Sequence, residues 1–348
     1  MGLIEEEIAR LMQKCISCGK CTPRCPSYEY GGVDPHEVMI GGEVDVSKCI
    51  LCGTCSQVCR RTDPFTVMRD LKALANNLHV SDVYKETGLA MKRAEHPSRT
   101  ELVPQWDGND VYVMPGCVVE CKAPFLEYAA CKAVQSVGKT CSELKDSGCC
   151  LRPPQFRDIR ETEQREILSK MVSNAEGREV ITLCGGCTEA LVGFGLDTTN
   201  MIMFLHNNID RLPRFGMTFK VAIEPGCSCM SLKKEMIEVV EALGCEYVGN
   251  DTGCCGKDTE LAPQMMADRE KECGNGCLIV VACPKCFTEY DAIPDGMPVV
   301  YLPELVAWAA GDTGTFGYHT IPIRPDDEDF YRPRFEGHIP KKGKGMRW

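Results

Sequence analysis

Apolar and polar positions along this chain follow a helical period at first and short strand-like runs later. Ile4–Lys14 places Ile4, Ile8, Leu11 and Met12 on one helical face and predicts a short amphipathic helix. Asp63-Pro64 predicts a helix start, with the aspartate as cap and the proline in first position. Val67, Leu71, Leu74 and Leu78 carry that helix onward as an i, i+4, i+7 stripe, and a further helix is predicted over Ser81–Glu95. His96–Asn109 (HPSRTELVPQWDGN) holds two prolines and no periodicity, which reads as an interdomain linker.

Beyond it lies an internal repeat. Val111–Cys117 (VYVMPGC) matches Val221–Cys227 (VAIEPGC), and Asp146–Cys150 (DSGCC) matches Asp251–Cys255 (DTGCC). Val180–Cys187 (VITLCGGC) matches Ile279–Cys286 (IVVACPKC). Helical patterns fall between these landmarks near Pro124–Val137, Arg160–Val172, Leu232–Leu243 and Leu261–Cys273. Each copy reads strand, cysteine, helix, strand, cysteine pair, helix, strand, CxxC, which implies a mainly parallel sheet with helices on its faces. The cysteines then fall just past the carboxyl ends of strands, where open α/β sheets place their ligands. The expected divisions are 1–95, a linker 96–109, repeats 110–216 and 217–311, and an extended tail 312–348.

Composition narrows the chemistry. The 348 residues suffice for two or three domains, and 44% hydrophobic with 26% charged is ordinary for a globular protein. The net charge of −11 argues against a nucleic-acid partner. The MGLIEEEIARL start lacks the character of a secretory leader, and no apolar run approaches a membrane span, so the chain is expected in the cytoplasm. Any membrane association would come through a partner. Lys341, Lys342, Lys344 and Arg347 form a basic cluster, either a solvated tail or a docking arm for an acidic subunit.

Eighteen of the 25 cysteines fall into four runs. Cys15, Cys18, Cys21 and Cys25 precede Pro26 in a C-x2-C-x2-C-x3-C-P pattern. Cys49, Cys52, Cys55 and Cys59 repeat the spacing, with Arg60 in place of the proline. This is the two-cluster ferredoxin signature, in which the fourth cysteine of each run serves the other cluster. One [4Fe–4S] cubane is thus expected on Cys15, Cys18, Cys21 and Cys59, and the other on Cys49, Cys52, Cys55 and Cys25. Zinc favours two ligand pairs separated by a longer loop and does not fit.

The other runs, Cys117, Cys149/Cys150, Cys184/Cys187 and Cys227, Cys254/Cys255, Cys283/Cys286, hold five thiols each, more than one cubane needs. Their pattern resembles the paired-cysteine, or CCG, domain found twice in the B subunit of heterodisulfide reductase. The segment before it resembles the C subunit, and a fusion in this order resembles the D subunit of the membrane-linked enzymes. The resemblance covers about Met1 to Gly311. It implies an N-terminal α-helical two-[4Fe–4S] ferredoxin-like domain, followed by a pseudo-twofold repeat of two CCG α/β domains. It also implies a non-cubane [4Fe–4S] cluster on each five-cysteine set, with a small disulfide of the CoM-S-S-CoB type cleaved between the two. Leu151 stands where the first CCG motif has glycine, whereas Cys254-Cys255-Gly256 keeps it. Relatives of similar architecture serve other redox systems, so an electron-transfer subunit without its own disulfide is the alternative.

Cys121, Cys131, Cys141, Cys229, Cys245, Cys273 and Cys277 remain and read as buried thiols, although Cys121 and Cys229 lie within four residues of an expected ligand. Val192–Thr198 begins like a dinucleotide fingerprint but lacks its third glycine and preceding strand, so it reads as a helix-ending turn. With neither flavin nor NAD expected, electrons must arrive singly from another protein of the complex. The favoured donor is a flavin-containing subunit of the electron-bifurcating or oxidoreductase kind, and a membrane cytochrome b is the other. Lys257, beside Cys255-Gly256, and His206 are the basic side chains best placed by sequence to aid proton uptake. Cubanes near about −400 mV and a small-thiol disulfide near about −200 mV make reduction favourable by roughly 9 kcal/mol for two electrons.

Overall fold

The computed structural model describes residues 3–75, 96–106, 108, 110–144, 147–152, 161–249, 253–257, 259–273, 277–293 and 296–319. The chain forms two compact units. One comprises Met1–Leu89 with Leu151–Arg165 and Gly253–Ala267, and the other Ala90–Cys150, Glu166–Thr252 and Asp268–Trp348.

The N-terminal segment of the first unit is built on two helices, α1 (Leu3–Met12) and α2 (Pro64–Ala75). Ile8 and Leu11 of α1 are buried with Val67 and Met68 of α2, and Ile4, Met12 and Leu71 pack against that cluster. Asp63 caps α2 as expected, accepting from the backbone N–H of Thr66 at 3.2 Å and from its hydroxyl at 2.6 Å. The predicted stripe shifts at Leu74, which is 41% exposed beside an open groove lined by Met12, Val38 and Leu71, while Met68 takes a buried place. Leu78 and the expected helix Ser81–Glu95 lie outside the described residues, as do Lys341, Lys342, Lys344 and Arg347.

The second unit holds two four-stranded parallel sheets. The strands β1 (Val111–Met114), β2 (Cys141–Glu143), β3 (Glu179–Thr182) and β4 (Thr199–Asn200) are ordered β2-β1-β3-β4. In the other sheet, β5 (Lys220–Glu224), β6 (Glu246–Tyr247), β7 (Leu278–Val281) and β8 (Val299–Tyr301) repeat that order as β6-β5-β7-β8. Val111 pairs with Cys141 and Glu179, and Val221 with Tyr247 and Leu278. All four residues of β7 are buried, as continuous apolar runs in two-sided parallel sheets should be. The sequence predicted three strands per copy. The fourth ones, β4 and β8, span only two or three residues, too few to carry a period.

The helices of the repeats are α3 (Cys117–Lys122), α4 (Phe125–Ser136), α5 (Glu161–Ser173), α6 (Gly185–Gly193) and α7 (Met201–Asn207). They continue as α8 (Lys233–Ala242), α9 (Ala262–Cys273), α10 (Pro284–Asp291) and α11 (Leu302–Ala309). Helix α6 ends at Gly193, and Gly195 takes a left-handed φ of 75°, so the glycines of Val192–Thr198 form a helix stop. Helix α4, after the first strand of one sheet, packs on α11, after the last strand of the other, and α8 packs on α7 in the same way. The segment read as a linker contains a helical turn, Ser98–Glu101, and His96 is buried there against Phe125 and Tyr318.

Candidate metal centres

The two N-terminal cysteine loops share one backbone path. In Cys15-Ile16-Ser17-Cys18-Gly19 the left-handed positions are Ser17 (φ 53°) and Gly19 (φ 69°). In Cys49-Ile50-Leu51-Cys52-Gly53 they are Leu51 (φ 52°) and Gly53 (φ 81°). Such turns direct successive N–H groups to one side and make an anion-binding concavity. The backbone N–H of Ser17 donates to the Cys15 sulfur at 3.4 Å, and that of Leu51 to Cys49. Cys25 precedes the helical turn Pro26–Glu29 as its cap, and its thiol donates to the carbonyl of Val33 at 3.6 Å. The Cys-Pro step starts this turn, with the proline in its first position.

Tertiary placement then sorts the thiols. Cys15, Cys18, Cys21 and Cys59 line one cavity of about 500 Å³, together with Ile16, Lys20, Arg60 and Arg61. Cys25 feels the charge of Cys52, and Cys55 feels Cys52, Cys49 and Cys25 in that order. Burial first, then those like charges, pushes Cys25 up to about 11 and Cys49 to about 12, with Cys55 higher still. Without a cation among them these thiols stay protonated; ionised together, they would need one. Four thiols lining one cavity, four others within reach of one another's charge, and the N–H···S bonds fit the chemistry of iron–sulfur ligation. Among the described residues, no three of these side chains stand close enough together to hold a metal as they are placed.

In the second unit the lone cysteines and CxxC motifs stand where the strand order reverses. Cys117 follows β1 and Cys184 follows β3, the two strands at the switch point of their sheet; Cys227 follows β5 and Cys283 follows β7. A Pro-Gly-Cys turn makes each lone-cysteine corner. Gly116 (φ 81°, ψ 164°) and Gly226 (φ 85°, ψ 151°) adopt a backbone region open essentially to glycine alone. A Cβ on Gly226 would lie 2.6 Å from the Cβ of Cys283, and one on Gly116 3.2 Å from the Cys187 sulfur. These glycines let each lone-cysteine turn close onto its CxxC.

The thiols themselves form a chain. Cys117 hydrogen-bonds Cys149, Cys149 bonds Cys150, Cys150 bonds Cys187, and Cys187 bonds Cys184. Cys184 also accepts from Cys283, which in turn accepts from Cys286. The CxxC motifs of the two sheets therefore touch. Hydrogen bonds from Cys187 and Cys283, and from the N–H groups of Cys187 and Gly186 at the start of α6, hold the Cys184 thiol well below its ordinary range. Cys229 belongs to the same cluster, because a Cβ on Gly185 would meet its sulfur at 2.3 Å.

Cys254 and Cys255 are buried in the first unit. Gly256 has a φ of 71°, and a Cβ there would meet the Met265 sulfur at 2.7 Å and the Ala262 Cα at 2.9 Å. Leu151, after the first cysteine pair, takes the same left-handed φ at 60° despite its side chain, which is 2% exposed. The backbone turn after each pair is kept where the glycine is not.

Sequence reasoning missed the groups beside the CxxC contact. Tyr301 is buried at the end of β8, its hydroxyl donating to the carbonyl of Leu183. Burial, then the charges of Cys184, Cys283, Cys229 and Cys187, keeps its phenol protonated. Glu304 accepts the Tyr301 backbone N–H at 2.9 Å through one carboxylate oxygen and His319 Nε2 at 3.1 Å through the other. His319 Nδ1 donates to Asp291 at 3.1 Å, so a fully buried imidazolium joins α10 to α11. Burial lowers its pKa, but Glu304 and Asp291 outweigh this and raise it to about 10. These residues are scattered in sequence and form no motif.

Of the two basic candidates, His206 sits in the last turn of α7, paired at 2.6 Å with Glu238 of α8. Lys257 is half-buried, two residues beyond Cys255. Among the remaining cysteines, Cys131 and Cys141 are buried in sulfur contact at 3.4 Å, and burial raises Cys245 and Cys277 to about 12. Cys273 is also buried and Cys121 is half-buried. All 25 cysteines lie among the described residues, and none is in a disulfide.

Residues 8–60 match the family described as a 4Fe-4S dicluster domain. Over 263 aligned residues the chain is 24% identical to the B subunit of the ferredoxin/F(420)H(2)-dependent CoB-CoM heterodisulfide reductase of Methanosarcina acetivorans. That alignment takes in 56% of this chain and 87% of that protein. The chain is similar to the iron–sulfur subunits of heterodisulfide reductases, a dicluster segment standing ahead of a region like their B subunit. It is an iron–sulfur protein related to a reductase subunit. Among the described residues, no helix is long and apolar enough to cross a membrane.

Proposed function

We propose that this chain is the iron–sulfur subunit of a disulfide-reducing complex, taking electrons singly from a partner protein and delivering them to a small disulfide of the CoM-S-S-CoB type. The observation that carries this reading is the contact between Cys184 and Cys283, which brings the CxxC motifs of two like sheets to one place. A disulfide has two sulfurs to reduce, and two CxxC motifs in contact match that stoichiometry. The identical strand orders and the reciprocal packing of α4 on α11 and α8 on α7 support a pseudo-twofold repeat of two CCG domains.

Cys15, Cys18, Cys21 and Cys59 would hold one cubane, and Cys25, Cys49, Cys52 and Cys55 the other. The repeat pattern assigns Cys117, Cys149, Cys150, Cys184 and Cys187 to one non-cubane cluster, and Cys227, Cys254, Cys255, Cys283 and Cys286 to the second. When bound, these clusters supply one-electron transfer and Lewis-acidic iron. The chain's own residues do the rest. The Pro-Gly-Cys turns close each lone cysteine onto its CxxC, and the N–H groups opening α6 stabilise negative charge on Cys184. Lys257, beside the second cysteine pair, is the candidate cation for product thiolates. His206 is engaged by Glu238, which favours a structural role for it. The electron donor is a separate protein of the complex, a flavoprotein in our reading or a membrane cytochrome b.

The test is to reduce the purified protein anaerobically, add CoM-S-S-CoB and assay free thiols. Two thiols released per disulfide consumed would support the proposal. A protein carrying about sixteen irons that releases none would be an electron relay instead.

A further inference from the structure

We propose that the cavity lined by Cys15, Cys18, Cys21 and Cys59 is ringed by a docking surface for an acidic one-electron carrier protein. This rests on the reading of that cavity as a redox centre and adds where the donor binds and what charge it carries.

The charge distribution singles the surface out. The chain carries −11, yet residues 13–28 hold Lys14, Lys20 and Arg24 and no carboxylate, and residues 57–62 hold Arg60 and Arg61 and no carboxylate. All five cations are exposed. None of them makes an ion pair with a described residue. Of the carboxylates next along the chain, Glu29 is exposed and three others are committed elsewhere. Glu7 pairs with Arg10, Asp34 accepts the Thr22 hydroxyl at 2.6 Å, and Asp63 caps α2. Five exposed cations without an ion pair, clustered on an anionic protein, mark a built feature, because solubility is already served by the excess negative charge.

The shape agrees with an interface. Ile16 is 61% exposed, Cys18 beside it is exposed, and Lys20, Arg60 and Arg61 line the same cavity. An apolar knob within a charged rim is the anatomy of a transient protein contact. A one-electron carrier is the occupant that fits, since the sequence has no hydride-accepting motif and the cavity holds the most exposed of the N-terminal thiols. An anionic membrane would meet the same cations, but it would also meet the −11 of the chain and has no use for a thiol-lined cavity at its centre.

The experiment uses the metal-loaded protein and, as probe, a reduced two-cluster ferredoxin of net negative charge. Association is followed anaerobically by surface plasmon resonance and stopped-flow absorbance. In Lys20→Glu/Arg60→Glu/Arg61→Glu the association rate at about 50 mM salt should fall at least about tenfold. The gap should close near 1 M salt, where the Debye length is about 3 Å. Iron content and visible spectrum report whether the centre survives. If reversal costs iron, the Gln triple variant should keep it and show a smaller loss of the same sign. Association that is unchanged in both variants, or independent of salt in the wild type, overturns the proposal. So does binding to phosphatidylglycerol vesicles without binding to the ferredoxin. Charge-dependent ferredoxin binding without thiol release from a heterodisulfide would leave the docking surface standing and remove the reductase reading.

Discussion

Replacing His319 by glutamine tests whether the buried imidazolium holds together the region behind the CxxC contact. The ring donates to Asp291 and Glu304, both at 3.1 Å, and is fully buried. Glutamine carries no charge and its amide reaches one carboxylate at most, which leaves an uncompensated buried anion. Breaking a buried pair in this way costs about 3–5 kcal/mol. At about 2.1 cal/mol/K per residue over the 348 residues, the unfolding midpoint at pH 7 should drop by about 4–7 °C. Anaerobic scanning calorimetry of wild type and variant measures it. The pH dependence gives the sign. The folded pKa of about 10 exceeds the unfolded value of about 6.5, so this stabilisation is complete below pH 6.5 and disappears as pH rises through 10. Wild type and variant should therefore converge at high pH. A difference below about 1 °C at pH 7, or one that stays constant to pH 10.5, would refute the account.

Other outcomes follow from the same geometry. Cys21→Ala should lose about four irons and slow electron entry while substrate still binds at the repeats; Cys255→Ala should keep the N-terminal cubane signals and abolish thiol release, as electron paramagnetic resonance and thiol assays would show. Gly226→Ala puts a Cβ 2.6 Å from that of Cys283 at a φ of 85°, so it should destabilise by at least about 2 kcal/mol and lower the iron content. Leu151→Gly relieves a left-handed leucine worth about 1 kcal/mol but empties a buried site worth about 2–4, so a net loss of about 1–3 kcal/mol with unchanged iron is expected. Gly256→Ala, by contrast, meets Met265 and the Ala262 backbone and should cost iron as well as stability.

Much of this protein was legible in its sequence because the informative signals are local. Cysteine spacing within a run fixes which sulfurs a loop can bring together, and the stripe Ile4, Ile8, Leu11, Met12 announces its helix from nearest neighbours alone. The repeat showed itself in matched short runs, VYVMPGC with VAIEPGC and VITLCGGC with IVVACPKC, from which alternating strands and helices followed. The tertiary structure decided what depends on distant parts of the chain. It added the short strands β4 and β8, whose pairing is set by their neighbours rather than by any period of their own. It let Leu151 take the left-handed turn that glycine takes in the other copy, because the surrounding fold holds the backbone there. It drew Cys184 onto Cys283 across 99 residues of chain, and placed Tyr301, Glu304, Asp291 and His319 behind them. A buried ion network of that kind has no spacing rule, since each of its members is fixed by the packing of a different element.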